Sequence, residues 1–84
     1  MVDFKVEETD NFTRSAKKIK DNLMKLKIKK QIIKIIQTPE IGKPMMYDRK
    51  GTREIYIRPF RISYSYLKNE KKIIFLELYH KKKQ

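Results

Sequence analysis

Thr52-Arg53-Glu54-Ile55-Tyr56-Ile57-Arg58-Pro59-Phe60-Arg61-Ile62-Ser63-Tyr64-Ser65-Tyr66 is the stretch whose reading decides the fold of this chain. On both sides of Pro59 apolar and polar residues alternate, the period-2 pattern of two half-buried strands. Pro59 has no N–H to give to a ladder, so it belongs in the connection between them. In the second strand Phe60, Ile62, Tyr64 and Tyr66 share one face, while Arg61, Ser63 and Ser65 share the other. A cation among small residues on an open sheet face leaves room for a docked group.

Downstream, Lys68–Lys72 is polar and contains Asn69, which marks a hairpin connection. Ile73–Tyr79 is apolar enough for a central strand, and the sequence closes on His80-Lys81-Lys82-Lys83-Gln84. Upstream, Val2, Phe4 and Val6 alternate with Asp3, Lys5 and Glu7, a first strand near residues 2–8. Thr9, Asp10 and Asn11 are capping types placed just before a change of period. From there Phe12, Ala16, Ile19, Leu23 and Leu26 form one helical stripe, and Ile28, Ile32, Ile35 and Ile36 a second. The break between them is expected near Asp21–Lys25; without a Gly or Pro there, a single bent helix fits the pattern as well. Thr38-Pro39 stops the helical region, because the residue before proline is driven out of the α region. Residues 40–44 read as a loop, Met45-Met46-Tyr47 as a short strand or an apolar plug, and Asp48-Arg49-Lys50-Gly51 as a turn. The order is strand, two helices, then two or three strands: an α+β domain with a small antiparallel sheet and the helices packed on one face. One domain spanning residues 1–84 is expected, with a modest core.

Charge narrows the function. Twenty-two Lys and Arg against 10 Asp and Glu give +12, which favours a polyanionic partner, nucleic acid before an acidic protein or an anionic membrane. The lysines between residues 13 and 34 fit either a solvated helix face or such a contact. With no cysteine and one histidine, the familiar His/Cys zinc sites are excluded. The carboxylates are too scattered for a two-metal phosphodiesterase, and two glycines make no phosphate-cradling loop. Neither a metal nor any other cofactor is expected. No apolar run is long enough to cross a membrane and no signal peptide precedes the first strand, so a soluble, cytoplasmic protein is expected.

What remains is cationic chemistry. Arg53, Arg58, Arg61, Lys81 and Lys82 lie in or beside the sheet segments, with Glu54 and His80 as the titratable groups among them. RNA can be cut without a metal when its 2′-hydroxyl attacks the adjacent phosphate. That reaction needs a base, cations for the growing phosphate charge and an acid for the leaving oxygen; fixed arginines are the strongest single contribution. Glu54, His80 or a lysine of lowered pKa can handle protons, while Tyr47, Tyr56 and Tyr79 can stack on unpaired bases. Structural readings compete: Arg53 with Glu54, or Arg58 with Glu77, as cross-strand ion pairs, and Tyr64 and Tyr66 as core.

The strings "REIYIRPFRISYSY" and "IIFLELYHKKKQ", preceded by "FTRSAKKI" and "IIKIIQTPEIGKP", resemble the RelE/ParE toxin superfamily of type II toxin–antitoxin modules over nearly the whole chain. The most specific parts are the aromatic-Arg-apolar-x-Tyr signature at Phe60–Tyr64 and the His-basic pair His80-Lys81. The resemblance implies a small twisted antiparallel sheet with an N-terminal two-helix hairpin on one face. It also implies a ribosome-dependent endoribonuclease that cleaves mRNA in the ribosomal A site without metal, restrained by a cognate acidic antitoxin. By position, Arg61 matches the family's phosphate-stabilising arginine and Lys81 its terminal basic residue. His80 matches a histidine suspected of acid–base work, and Arg53-Glu54 an Arg-Glu pair common in one branch. Arg58, Lys82, Lys83 and Tyr56 are then the residues expected to bind RNA. Two positions depart from the family pattern: Lys81 stands where arginine is more usual, and no tyrosine follows it. The ParE branch shares the fold but inhibits DNA gyrase, so a gyrase inhibitor without chemistry, or a toxin that keeps only its antitoxin surface, is the alternative.

Overall fold

The computed structural model describes residues 4–45 and 51–80. Its elements are β1 (Lys5–Glu8), α1 (Asp10–Lys18), α2 (Asn22–Gln37), a 3-10 turn (Pro39–Ile41), β2 (Lys43–Pro44), β3 (Thr52–Ile57), β4 (Phe60–Leu67), a second 3-10 turn (Lys68–Glu70) and β5 (Lys72–His80). The five strands form one sheet in the order β1-β5-β4-β3-β2. Pairing is antiparallel throughout except that β1 runs parallel to β5. The long connection through both helices is what lets the first and last strands lie side by side in the same direction.

Both helices start where the sequence offers a cap. The Thr9 hydroxyl accepts from Phe12 N–H at 3.1 Å, and the Asp21 carboxylate accepts from Leu23 N–H at 2.9 Å. The break between helices therefore falls at Ile19–Asp21, with Ile19 as the C-cap of α1. This corrects the first stripe: Phe12 and Ile19 are buried, but Leu23 and Leu26 lie beyond the break, exposed on α2. The second stripe stands, with Ile28 and Ile35 buried and Ile32 and Ile36 packed against them. The reading of residues 40–44 as plain loop is corrected too, because Lys43–Pro44 pairs with Glu54 and Arg53 as an edge strand. Met46, Tyr47 and residues 48–50 lie outside the described residues.

The central hairpin follows the alternation. Ile57, Ile62 and Tyr64 are buried beneath the helices, and Pro59 occupies the connection after a cis peptide bond with Arg58. Tyr64 is fully buried; its hydroxyl donates to Pro39 C=O at 2.7 Å and accepts from Gly42 N–H at 2.8 Å. The phenol thus ties the 3-10 turn to the sheet, and a Cβ on Gly42 would lie 2.5 Å from its oxygen. Burial pushes the Tyr64 pKa above its ordinary value, against the pull of the Gly42 hydrogen bond and the Arg53 charge.

Among the described residues β5 carries the one irregularity of register. Ser63 pairs with Glu77, but Tyr64 pairs with Phe75, leaving Leu76 as an extra residue, a β-bulge. Thr9 holds it in place: its hydroxyl donates to Leu76 C=O at 2.6 Å, and its N–H donates to Phe75 C=O at 3.0 Å. Strict alternation would put Ile73, Phe75, Glu77 and Tyr79 on the helix side. The extra residue resets the phase, so Ile73, Phe75 and Leu78 are buried while Glu77 and Tyr79 turn to the open face.

Candidate functional site on the open sheet face

The open face is built from rows of residues that stand opposite one another across β3, β4 and β5. Tyr56, Arg61 and Tyr79 form one row; Glu54, Ser63 and Glu77 form the next. Glu54 joins the two rows. One carboxylate oxygen accepts from Arg61 Nη1 at 2.8 Å, and the other accepts a short hydrogen bond from the Tyr79 hydroxyl. The Glu54 side chain is only 10% exposed and that of Arg61 27%, so this pair is shielded compared with a surface salt bridge. The Arg61 guanidinium also lies 5.7 Å from the centre of the Tyr56 ring, within cation–π range.

Arg61 is held but not fully satisfied. Its Nε is buried and finds no acceptor among the described residues. An unmet buried donor costs on the order of 1–3 kcal/mol, which makes it a pointer to a site whose ligand is an acceptor. An arginine positioned by a carboxylate and flanked by aromatics is suited to an oxyanion with an attached planar group. Among the described residues no three carboxylate or imidazole groups converge in a way that would hold a metal ion.

The structure separates the other expected site residues from this cluster. Arg53 stands opposite Tyr64, on the helix side of the sheet. Its Nη1 donates to Glu40 C=O at 3.0 Å and Gly42 C=O at 2.8 Å, so it braces the chain before β2 and does not reach the open face. His80 stands opposite Phe60 and packs edge-on against that ring at 5.5 Å. It lines a cleft of about 640 Å³ with Ser15, Lys18, Asp21, Met24 and Phe60, again on the helix side. The bulge is the reason: in an unbroken strand residue 80 would fall on the face of Arg61. The expected cross-strand pairs Arg53–Glu54 and Arg58–Glu77 are replaced by Arg61–Glu54. Glu54 and Arg53 point to opposite faces, and β4 lies between β3 and β5. Arg58 is exposed in the β3–β4 turn, beyond the end of the Tyr56–Arg61–Tyr79 row. Lys81, Lys82 and Lys83 lie outside the described residues.

Two residues join the site that the strand pattern did not single out for it. The sequence marks Tyr79 only as an aromatic able to stack, because nothing in Ile73–Tyr79 signals the phase change that turns it toward Glu54. Lys43, read as loop, stands opposite Glu54 in the β2–β3 ladder and so lies on the same face.

Comparison with known families settles the class. The family model of the ParE toxin of type II toxin–antitoxin systems matches residues 6–84. The chain belongs to this toxin family, within the RelE/ParE superfamily. It is thus a toxin of a type II toxin–antitoxin module. Solved structures agree at the level of fold. A YoeB/ParE toxin from Agrobacterium tumefaciens superposes with a TM-score of 0.81 at 18% identity, covering 92% of this toxin and 98% of that chain. A chain of the RelBE2 toxin–antitoxin complex from Mycobacterium tuberculosis gives 0.78 at 18% identity over 92% and 96%. One of the archaeal RelE–RelB complex from Pyrococcus horikoshii OT3 gives 0.75 at 13% identity over the whole of both chains. No curated protein sequence matches the toxin.

Proposed function

We propose that this toxin is a metal-independent, ribosome-dependent endoribonuclease that cleaves mRNA in the A site and so inhibits translation. The observation that carries the reading is Arg61: an arginine on the open sheet face, fixed by Glu54, flanked by Tyr56 and Tyr79, with its buried Nε lacking an acceptor among the described residues. In the reaction the ribose 2′-oxygen attacks its own phosphorus, the bond from phosphorus to the 5′-oxygen of the next nucleotide breaks, and a 2′,3′-cyclic phosphate and a 5′-hydroxyl result. Arg61 neutralises the charge that grows on the phosphate oxygens, with Lys81 assisting. Glu54, on the same face, takes the proton from the 2′-hydroxyl, and a solvent water gives a proton to the leaving 5′-oxygen. Tyr56 supplies a surface for a base, and Arg58, Lys82 and Lys83 hold the phosphates on either side. Arg53 and His80, being on the helix side, have structural parts in this reading. A cognate acidic antitoxin restrains the toxin; two of the solved structures it resembles come from toxin–antitoxin complexes.

The test uses purified toxin and mRNA-programmed ribosomes in the presence of a chelator of free transition metals that leaves ribosomal Mg²⁺ in place. Cleavage at A-site codons is expected, falling about 10²–10³-fold in Arg61→Ala, the loss typical of removing one donor to a developing oxyanion. Message that stays intact with the unsubstituted toxin would overturn the nuclease reading. One observation favours a second reading, inhibition of DNA gyrase without chemistry: the family model that matches is the ParE one. A supercoiling assay separates them, since only the second reading has gyrase inhibited while RNA is left whole.

A further inference from the structure

The helix α1 continues the open face past the edge of the sheet. β1 pairs with β5 only from Lys72 to Phe75, so beyond the bulge the outer edge of β5 borders α1 instead of a strand. The helix follows that edge to its end: Thr9 binds the Leu76 carbonyl, and Lys18 and Ile19 share a cleft with His80. At about 100° per residue, Asn11, Arg14, Ser15 and Lys18 form one polar stripe about 100° wide, roughly a third of a turn from the core stripe of Phe12, Ala16 and Ile19. Between the polar stripe and β5 lies a hollow of about 250 Å³, walled on the strand side by Glu77 and Tyr79. Both belong to the open face, and Tyr79 ends the row that holds Arg61. The hollow is therefore a lateral extension of the site, and the phase change at Leu76 is what joins the two.

The chemistry of the hollow suits a single anion. Arg14 and Lys18 are exposed, and among the described residues neither makes an ion pair, although Glu77 lies in the same hollow. Asn11 and Ser15 add neutral donors. Leu78 is buried, so the hollow offers no aliphatic surface for an apolar group. Two cations against one carboxylate leave one positive charge, which a single phosphodiester neutralises. Distance fits as well: strands lie ~4.8 Å apart, so a group beyond β5 is about two spacings, ~10 Å, from Arg61 on β4. A nucleic-acid strand covers ~10 Å in about three stacked nucleotides, at ~3.4 Å each.

We propose that Arg14 and Lys18 bind a phosphodiester of the substrate RNA, within about three nucleotides of the phosphate held by Arg61, with Asn11 and Ser15 donating to its oxygens. The inference rests on the nuclease reading above. It gives the bound strand a course, across the sheet from Tyr56 past Arg61 and Tyr79 to α1.

The experiment uses the full toxin on mRNA-programmed ribosomes, with messages in which one phosphate at a time near the A-site codon is a neutral methylphosphonate. Cleavage is measured for the unsubstituted toxin, Arg14→Gln, Lys18→Gln and Lys29→Gln. The last makes the same charge change at an exposed position of α2, and circular dichroism checks that every variant is folded. Arg14→Gln and Lys18→Gln are each expected to raise KM about fourfold at about 0.15 M salt, the worth of one single-strand phosphate contact, with kcat nearly unchanged. One methylphosphonate position away from the cut is expected to raise KM for the unsubstituted toxin. On that message Arg14→Gln and Lys18→Gln should lose nothing further, the sign that residue and phosphate are partners. An equal rise in Lys29→Gln overturns the proposal, because overall charge then explains the loss. So does no loss at all, or a loss that is the same on every message, which assigns Arg14 and Lys18 to ribosomal RNA or protein. If the unsubstituted toxin leaves every message whole, the nuclease reading falls and this inference with it; cleavage without the coupling sinks the inference alone.

Discussion

Replacing Gly42 by alanine should cost this toxin a large part of its stability, although the backbone there tolerates any residue. Gly42 has φ −72° and ψ 151°, an extended conformation open to alanine. The obstacle is Tyr64: the added Cβ would sit 2.5 Å from Oη, 2.8 Å from Cε1 and 2.9 Å from Cζ. The ring is fully buried and packed beside Phe75, so it cannot swing away without disturbing the core. Forced movement in a packed interior costs about 1–3 kcal/mol. The hydrogen bonds from Gly42 N–H and to Pro39 C=O would be stretched or lost, at about 1 kcal/mol each. Alanine returns about 0.4–1 kcal/mol by restricting the unfolded chain. The net expectation is about 2–4 kcal/mol, or a fall in Tm of about 10–30 °C for a domain of this size. Urea and thermal unfolding followed by circular dichroism measure it. Tyr64→Phe, which removes the oxygen of the shortest contact, should make the second substitution less damaging than it is alone, a coupling that a double-mutant cycle detects. A Gly42→Ala protein within about 0.5 kcal/mol of the unsubstituted one would refute the claim that Tyr64 pins the 3-10 turn to the sheet, since changes without such a mechanism stay in that range.

Three further outcomes follow from the two faces of the sheet. Arg53→Ala should lower stability by about 2 kcal/mol, through loss of its charged hydrogen bonds to Glu40 and Gly42 carbonyls; in the ribosome assay it should cleave at its normal rate once the folded fraction is matched. His80→Ala should reduce cleavage less than about tenfold, against the 10²–10³-fold loss expected of Arg61→Ala, because its ring rests on Phe60. Alkaline titration should find stability constant with respect to Tyr64 below about pH 10 and falling above it. The folded pKa is raised, so the folded state keeps a proton that the unfolded state has released. Stability is therefore lost from the unfolded pKa upward through the folded one. Tyr64→Phe should flatten that part of the unfolding-versus-pH curve.

The fold was largely legible because its main devices are local. The alternation on either side of Pro59 locates β3, β4 and their connection. Thr9 and Asp21 are both cap types and both act as caps, and the isoleucines of α2 repeat with the helical period. The misplaced stripe has an equally physical cause. Leu23 and Leu26 continue the spacing of Phe12, Ala16 and Ile19 only if the helix is unbroken, and Asp21 breaks it. The parallel pairing of β1 with β5 is a long-range choice, on which four exposed residues of an edge strand carry no mark.

The site was legible only in part, and the bulge explains where reading stopped. A strand announces its faces by alternation, but Ile73-Ile74-Phe75-Leu76 is apolar at every position, so the pattern is silent just where the phase changes. One extra residue at Leu76 then exchanges the faces of everything that follows it, sending Tyr79 to Glu54 and His80 to Phe60. Arg61 and Glu54 were recoverable because β3 and β4 are regular, and regular ladders transmit facing without error. The anchor of the bulge is Thr9, a residue whose sequence role is to start α1. Its hydroxyl therefore acts twice: it accepts from the helix N-terminus and donates to the carbonyl of the extra residue. The start of the helical hairpin and the facing of Tyr79 are fixed by the same oxygen, which couples the N-terminal half of the chain to the geometry around Arg61.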